Sequence, residues 1–280
     1  MEARRVAPHP EPPVALTVPP PPGPAAAAPV PALALRGLWK SFGPKVAVGG
    51  IDLTVPAGSF YGLVGPNGAG KTTTLSMATG LLRPDAGEVR VHGVDLWADP
   101  TAGKRIIGVL PDGLRLFDRL TGLQLVTYAG LLRGMDRDMV ASRARELLAA
   151  LDLEASQDQL VVDYSAGMTK KVAFAAAIIH APRLMVLDEP FESVDPVSAS
   201  NIRAILREYV GGGGTVIVSS HVMDLVQRMC DHVAVVADGH VLAAGTVDEV
   251  RGGRTLEDTF VDLVGGRRTG MQGLEWLRTC

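Results

Sequence analysis

Apolar residues follow two alternating rhythms along this chain. Short unbroken runs lie at Ser59–Val64, Val89–Val91, Ile106–Leu110, Arg183–Leu187, Thr215–Ser219 and His232–Ala237, and each gives way to turn or polar residues. Between them, Lys71–Leu82, Met168–His180 and Val197–Tyr209 repeat apolar residues at helical spacing. Continuous apolar strands separated by helices predict a mostly parallel sheet covered on both faces. From about Gly113 to Leu160 the pattern turns helical throughout, in LQLVTYAGLLRGM and VASRARELLAALDL. The four glycines Gly211–Gly214 end one helix and lead into the next strand. The expectation is an α/β core with an inserted α-helical subdomain and no internal repeat.

Proline changes that picture at one end. Eleven of the twenty prolines fall in residues 1–31, a density that forbids helix and sheet and favours extended, solvated chain. The same prolines break every stretch that would serve as the apolar core of an export signal. The expected organisation is a Pro/Ala-rich tail at 1–32, a folded domain at 33–265 and a C-terminal tail at 266–280. That last segment carries Leu274, Trp276 and Leu277, and the pattern allows either a docked helix or a loose tail. Lys plus Arg is 27 against 30 Asp plus Glu, a net charge of −3, which argues against a nucleic-acid partner and a polybasic anchor. Two distant cysteines, Cys230 and Cys280, exclude a disulfide scaffold and suit a reducing compartment. No uninterrupted apolar stretch reaches the ~18 residues of a membrane span.

The strongest chemical signal is GPNGAGKT, Gly65 to Thr72, which fits G-x-x-x-x-G-K-[ST] between a predicted strand and a predicted helix. Glycines let consecutive backbone N–H groups turn toward phosphate oxygens, and the helix N-terminus adds its dipole. Lys71 is placed to reach the β- and γ-phosphates, and the Thr72 hydroxyl to hold Mg²⁺. The candidate nucleotide contacts are therefore Gly65, Pro66, Asn67, Gly68, Ala69, Gly70, Lys71, Thr72 and, next on the helix, Thr73. In RLMVLDEP, Asp188 and Glu189 follow an apolar strand, at the end where ligands bind in open α/β sheets. Asp188 is a metal candidate, and Glu189 is placed to polarise an attacking water.

With those residues in hand the chain resembles the ATP-binding subunits of ATP-binding cassette (ABC) transporters, from about Leu33 to Gly265. Further residues in the family's order carry the resemblance. Tyr164–Ser165–Ala166–Gly167–Met168 stands at the signature, Ser193–Val194–Asp195–Pro196 at the D-loop, and His221 at the switch histidine. Phe42, in LWKSFG, matches the aromatic residue that stacks on adenine, with Trp39 a nearby competitor. The resemblance implies a P-loop NTPase core, an N-terminal antiparallel β part and a helical subdomain at about 113–175. It implies ATP and Mg²⁺ as cofactors and catalytic roles for Glu189, His221 and Lys71. It also implies head-to-tail pairing with a second ABC ATPase subunit, so that Ser165 and Gly167 face ATP held by the other chain. An integral-membrane permease on a separate chain is the implied partner, with this subunit cytoplasmic and peripheral on the inner face of the membrane.

This chain departs from the family's usual pattern in four places. Ala166 replaces the first signature glycine, Met168 replaces glutamine, and Ser193–Val194 replaces Gly-Leu. Asp112, in GVLPDG, stands where the Q-loop glutamine usually lies; it adds a negative charge and a possible metal contact through water. The loose signature and acidic Q-loop resemble exporter-type cassettes. Two alternatives stay open at this point: a catalytically weak regulatory cassette in a heterodimer, and a soluble non-transport ABC ATPase.

Overall fold

The computed structural model describes residues 29–265. Most of the proline-rich tail, the whole C-terminal tail and Cys280 lie outside the described residues. The chain opens with strands β1 (Leu33–Phe42) and β2 (Lys45–Val55), an antiparallel hairpin that turns at Gly43–Pro44. A register shift at Arg36–Gly37 changes the phase of β1, so Leu33, Leu35 and then Leu38 all reach the core. Ala32 is tied into the same sheet, its N–H donating to Val55 O at 2.9 Å.

Strand β3 (Phe60–Val64) then enters the molecular centre and leads to helix α1 (Lys71–Ala78). The helical pattern predicts continuation to Leu82, but α1 stops at Ala78. The Thr79 hydroxyl donates back to Leu75 O, and Gly80 takes a left-handed φ of 74°. Strands β4 (Ala86–Val91) and β5 (Val94–Asp95) complete a four-stranded antiparallel sheet in the order β2-β1-β4-β5.

Short helix α2 (Pro100–Arg105) precedes strand β6 (Ile107–Leu110). The helical region follows, as α3 (Gly122–Leu132), α4 (Arg137–Ala150), two short 3₁₀ turns and α5 (Ala166–Ile178). The expectation of helix throughout 113–160 is corrected here: residues 111–121 are not helical. Gly113 has φ 63°, and α3 starts only where Thr121 and Gln124 form a reciprocal capping box. Gly134 and the N-cap Asp136 separate α3 from α4.

Strands β7 (Leu184–Leu187), β8 (Thr215–Ser220) and β9 (His232–Ala237) alternate with helices α6 (Pro196–Gly211) and α7 (Met223–Met229). Strand β10 (His240–Thr246) and helices α8 (Val247–Arg251) and α9 (Leu256–Leu263) end the described chain. The central sheet runs β10-β9-β3-β8-β7-β6, parallel except for β10. Every residue of β3, β7 and β8 is buried, which explains their unbroken apolar runs. Strand β10 has no such run; Asp238–Gly239, both at positive φ, is the hairpin signal that precedes it. The mixed α/β fold, with an antiparallel N-terminal sheet and a mostly parallel second sheet, agrees with the sequence reading.

The pairing register brings the carboxyl ends of the parallel strands level. Val64 pairs with Ser220, Leu187 with Val218, and Leu110 with Leu187. Gly65, Asp188, His221 and Asp112 therefore leave the sheet on one edge.

Candidate functional site

The loop after β3 is shaped by glycine and by close backbone neighbours. A Cβ on Gly65 would lie 2.1 Å from Val236 O, and one on Gly70 would lie 2.5 Å from Ala47 O. Gly70 caps α1 with φ 99°, a conformation that favours glycine. The β9–β10 turn clamps the loop from outside: Gly239 N–H donates to Ala69 O at 3.0 Å, and Gly49 N–H donates to Gly239 O at 2.9 Å.

Lys71 lies under this loop and is buried. Its ammonium donates to Gly65 O at 2.8 Å and Pro66 O at 3.3 Å, and stands 3.8 Å from Glu189 Oε1. Burial pushes the Lys71 pKa down, and the Glu189 and Asp188 carboxylates oppose that shift. The cation is thus held beside two acids, in a position to exchange loop carbonyls for phosphate oxygens.

Asp188 is only 3% exposed, at the end of β7. The Ser219 hydroxyl donates to Asp188 Oδ1, while Glu189 N–H donates to the same hydroxyl at 2.9 Å. Glu189 takes a left-handed φ of 45°. Its Oε2 lies 3.2 Å from His221 Nδ1, so one carboxylate spans from the loop lysine to the histidine after β8.

A cleft of about 510 Å³ collects Phe42, the loop from Asn67 to Thr73, Asp112, Glu189 and His221. Gly65 and Pro66 contribute carbonyls to Lys71 without lining it, and Asp188 lies beneath it. Phe42 presents a half-exposed ring to the cleft, with Lys40 Nζ 5.6 Å from its centroid. Trp39 is not part of the lining. Lys45, Glu192 and Ser219 complete the neighbourhood and were not evident from the motifs. The two serines that close TVIVSS after the apolar run Val216–Val218 were the available signal for Ser219.

Ser165 and Gly167 stand apart from this cleft. Ser165 caps α5, its hydroxyl accepting from Met168 N–H at 3.3 Å. Gly167 faces the loop that precedes α6, and an added Cβ would meet no atom closer than Ser193 O at 3.9 Å. Asp195 caps α6 by accepting from Val197 N–H and Ser198 N–H at 3.1 and 3.0 Å. The Ser198 hydroxyl and the Ser198 and Val197 N–H groups, with Lys171 nearby, hold the Asp195 carboxyl below the usual range.

The oxygen donors at the cleft suit Mg²⁺ by their chemistry. Among the described residues no three His, Cys, Asp or Glu side chains gather to hold a metal alone. Magnesium is usually bound by one or two carboxylates together with substrate phosphates. A buried Asp188 with one hydroxyl partner, and an exposed Thr72 at the loop mouth, fit that mode.

On the helical subdomain, Phe117 meets Tyr128 edge-on at 5.7 Å. Together with Leu120, Leu123 and Leu131 they line an apolar groove of about 770 Å³. Leu116 packs on the core instead. Among the described residues no helix is long and apolar enough to cross a membrane.

Residues 48–192 match the ABC transporter family. The daunorubicin/doxorubicin resistance ATP-binding protein DrrA of Streptomyces peucetius is 38% identical over 220 residues, covering 79% of this chain and 67% of that protein. The Nod factor export ATP-binding protein I of Rhizobium sp. (strain N33) is 36% identical over 215 residues, covering 77% of this chain and 71% of its own length. A solved ATP-binding subunit of an ABC transporter superposes with a TM-score of 0.79 at 27% identity, covering 83% of this chain and 99% of that one.

Proposed function

The chain belongs to the ATP-binding subunits of ABC transporters, and from that premise we propose that it closes head to tail on a second such subunit and powers export through a separate membrane permease. It is an ABC ATPase with exporter-type relatives. The observation that carries the two-chain reading is the separation of Ser165 and Gly167 from the cleft that holds Lys71, Glu189 and His221. Packing within the chain does not demand glycine at position 167, since its nearest neighbour to an added Cβ is 3.9 Å away. Close approach of a phosphate from a second subunit does demand it, and the capped N-terminus of α5 offers backbone N–H groups to that phosphate.

Each side chain has a role in this reading. Phe42 stacks on the adenine. The amides of Gly68 to Thr73 cradle the phosphates, and Lys71 moves from its loop carbonyls to the β- and γ-oxygens. Asp188 and Thr72 would hold Mg²⁺, with Asp112 meeting its water shell. The chemistry that Mg²⁺ would supply there is positive charge to offset that of the phosphates. Glu189 accepts a proton from the attacking water, and His221 orients that carboxylate and the γ-phosphate. Ser219 keeps Asp188 and Glu189 aimed from below.

The cassette occupies 33–265 and its helical subdomain about 113–175. The permease docks on that subdomain, where the Phe117 groove supports an apolar contact. The names of the relatives, which speak of drug resistance and Nod factor export, support the outward direction. The subunit then works at the cytoplasmic face, held there by the permease.

Steady-state hydrolysis by the purified chain tests the enzyme roles, and copurification from detergent tests the partner. Mg²⁺-dependent turnover that rises more than linearly with protein concentration is the expected result. Turnover linear in concentration, with no membrane protein captured, overturns the two-chain and permease parts.

A further inference from the structure

Lys170 and Lys171 follow one another on α5, so their side chains leave the helix about 100° apart. Lys171 points inward and is buried. Its ammonium lies 4.0 Å from Asp152 Oδ2, an oxygen that also accepts Asn201 Nδ2–H at 2.6 Å. This contact joins the residues just after α4 to the second turns of α5 and α6, while the buried Val172, Phe174 and Ala175 fix the rotation of α5 about its axis. Lys170, about 100° around the helix, stands with its ammonium 4.0 Å from Asp112 Oδ1.

Asp112 lines two cavities. One is the 510 Å³ cleft with Lys71 and Glu189; the other, of about 500 Å³, lies between α5 and the Glu192–Ser193 loop. A carboxylate at the mouth of a phosphate cleft poses a charge problem. It adds to Glu189, Glu192 and Asp188, and all four repel the phosphates unless cations stand close. Lys71 already faces two of these acids. Asp112 meets Lys170 instead.

We infer that Lys170 is a positioning residue for nucleotide binding: it offsets the charge of the Asp112 carboxylate and holds it at the cleft mouth, with its own place set by the buried face of α5. This rests on the reading that ATP fills the cleft. Because Lys170 rides on the helix capped by Ser165, the position of Asp112 follows that of the signature turn. The pair is partly solvated, so it is soft enough to adjust when the nucleotide arrives.

The test is a double-mutant cycle on the full chain, reading equilibrium affinity for a fluorescent ATP analogue with Mg²⁺, under dilute conditions where turnover plays no part. Lys170→Gln should weaken binding about two- to fivefold, the range of a partly exposed ion pair. Lys170→Glu should weaken it further, and Lys170→Arg should retain it. In the Asp112→Asn background, Lys170→Gln should change affinity by much less, because the charge it answers is gone. Equal losses from Lys170→Gln in both backgrounds, or none in either, overturn the inference. A wild-type chain that binds no nucleotide overturns the ATP reading itself, which is a distinct result. Melting temperatures of the variants separate a folding defect from a binding defect.

Discussion

Ser219, on β8, hydrogen-bonds Asp188, the residue that follows β7, across the parallel ladder. The same hydroxyl accepts the amide of Glu189. One small side chain therefore fixes the metal candidate through its carboxylate and the proposed base through its backbone. Glu189 needs such a hold, since a left-handed φ of 45° on a non-glycine residue costs of order 1–3 kcal/mol.

Ser219→Ala should expose that dependence. It leaves a buried carboxylate and a buried N–H without this partner, a loss of about 1–3 kcal/mol. Denaturant unfolding should show that loss, and kcat should fall with little change in ATP affinity, because the phosphate loop is untouched. A variant with unchanged stability and kcat would remove Ser219 from the site.

Glu189→Gln separates hydrolysis from binding. If Glu189 takes the proton from water, kcat should fall about 10²–10⁴-fold while ATP still binds. The ATP-bound dimer should accumulate, which size-exclusion chromatography with ATP will detect. Lys71→Ala should instead lose nucleotide affinity, since Lys71 faces phosphate charge before any bond breaks. Wild-type turnover in Glu189→Gln would move the base elsewhere.

Much of this arrangement was legible in the sequence because single residue types carry it. Gly65, Gly68 and Gly70 mark a loop no other residue type follows easily, and the apolar runs before Asp188 and His221 mark strands buried on both faces. The antiparallel first sheet was only partly legible from alternation, in Ile51–Val55 and Val89–Val91. A bulge at Arg36–Gly37 resets the phase of β1, and half of β2 is exposed. Residues 113–121 read as helical by periodicity, but Gly113 and the Thr121 cap decide otherwise. Lys170 was invisible as a site residue, and Ser219 was marked only by a hydroxyl at the end of an apolar strand, for another reason. The meaning of Ser219 and Lys170 lies in contacts with Asp188 and Asp112, 31 and 58 positions away, and no local pattern encodes those contacts.

His180 predicts a pH dependence of stability. Its Nε2–H donates to Ile107 O at 3.1 Å, its Nδ1 is buried without a partner, and burial, with Arg133 nearby, lowers its pKa to about 4. The unfolded chain binds this proton near pH 6.5, so between those values it holds more protons than the folded one. This contribution to stability is complete above about pH 6.5 and is lost as pH falls toward 4. His180→Gln should flatten the melting-temperature profile over that window, whatever its constant offset. An unchanged slope would show that His180 titrates normally.

Phe117 and Leu116 divide what the pattern left together. Phe117 is 62% exposed in the apolar groove, whereas Leu116 packs against the core. Phe117→Asp should therefore spare folding and ATP binding but reduce copurification of the membrane partner. Leu116→Asp should lower the melting temperature first. An intact complex with Phe117→Asp would place the docking surface elsewhere.

The shared site gives the strictest test, because it makes two defective chains rescue each other. Ser165 caps α5 outside the cleft of its own chain, so Ser165→Arg leaves the phosphate loop intact, and nucleotide binding to the monomer should persist. Closure should fail, since arginine brings bulk to the surface that meets the opposing γ-phosphate and removes the hydroxyl. Hydrolysis should fail with it. Lys71→Ala has the opposite defect, a weak loop beside an intact signature. Mixed in equal amounts, the two variants form some dimers in which one site combines the intact loop of the first chain with the intact signature of the second. If the chain pairs with itself and one complete site can turn over, ATPase activity of the mixture should exceed that of either variant alone. It should also rise with total protein concentration. Full hydrolysis by Ser165→Arg alone, independent of concentration, would refute a site built from two chains.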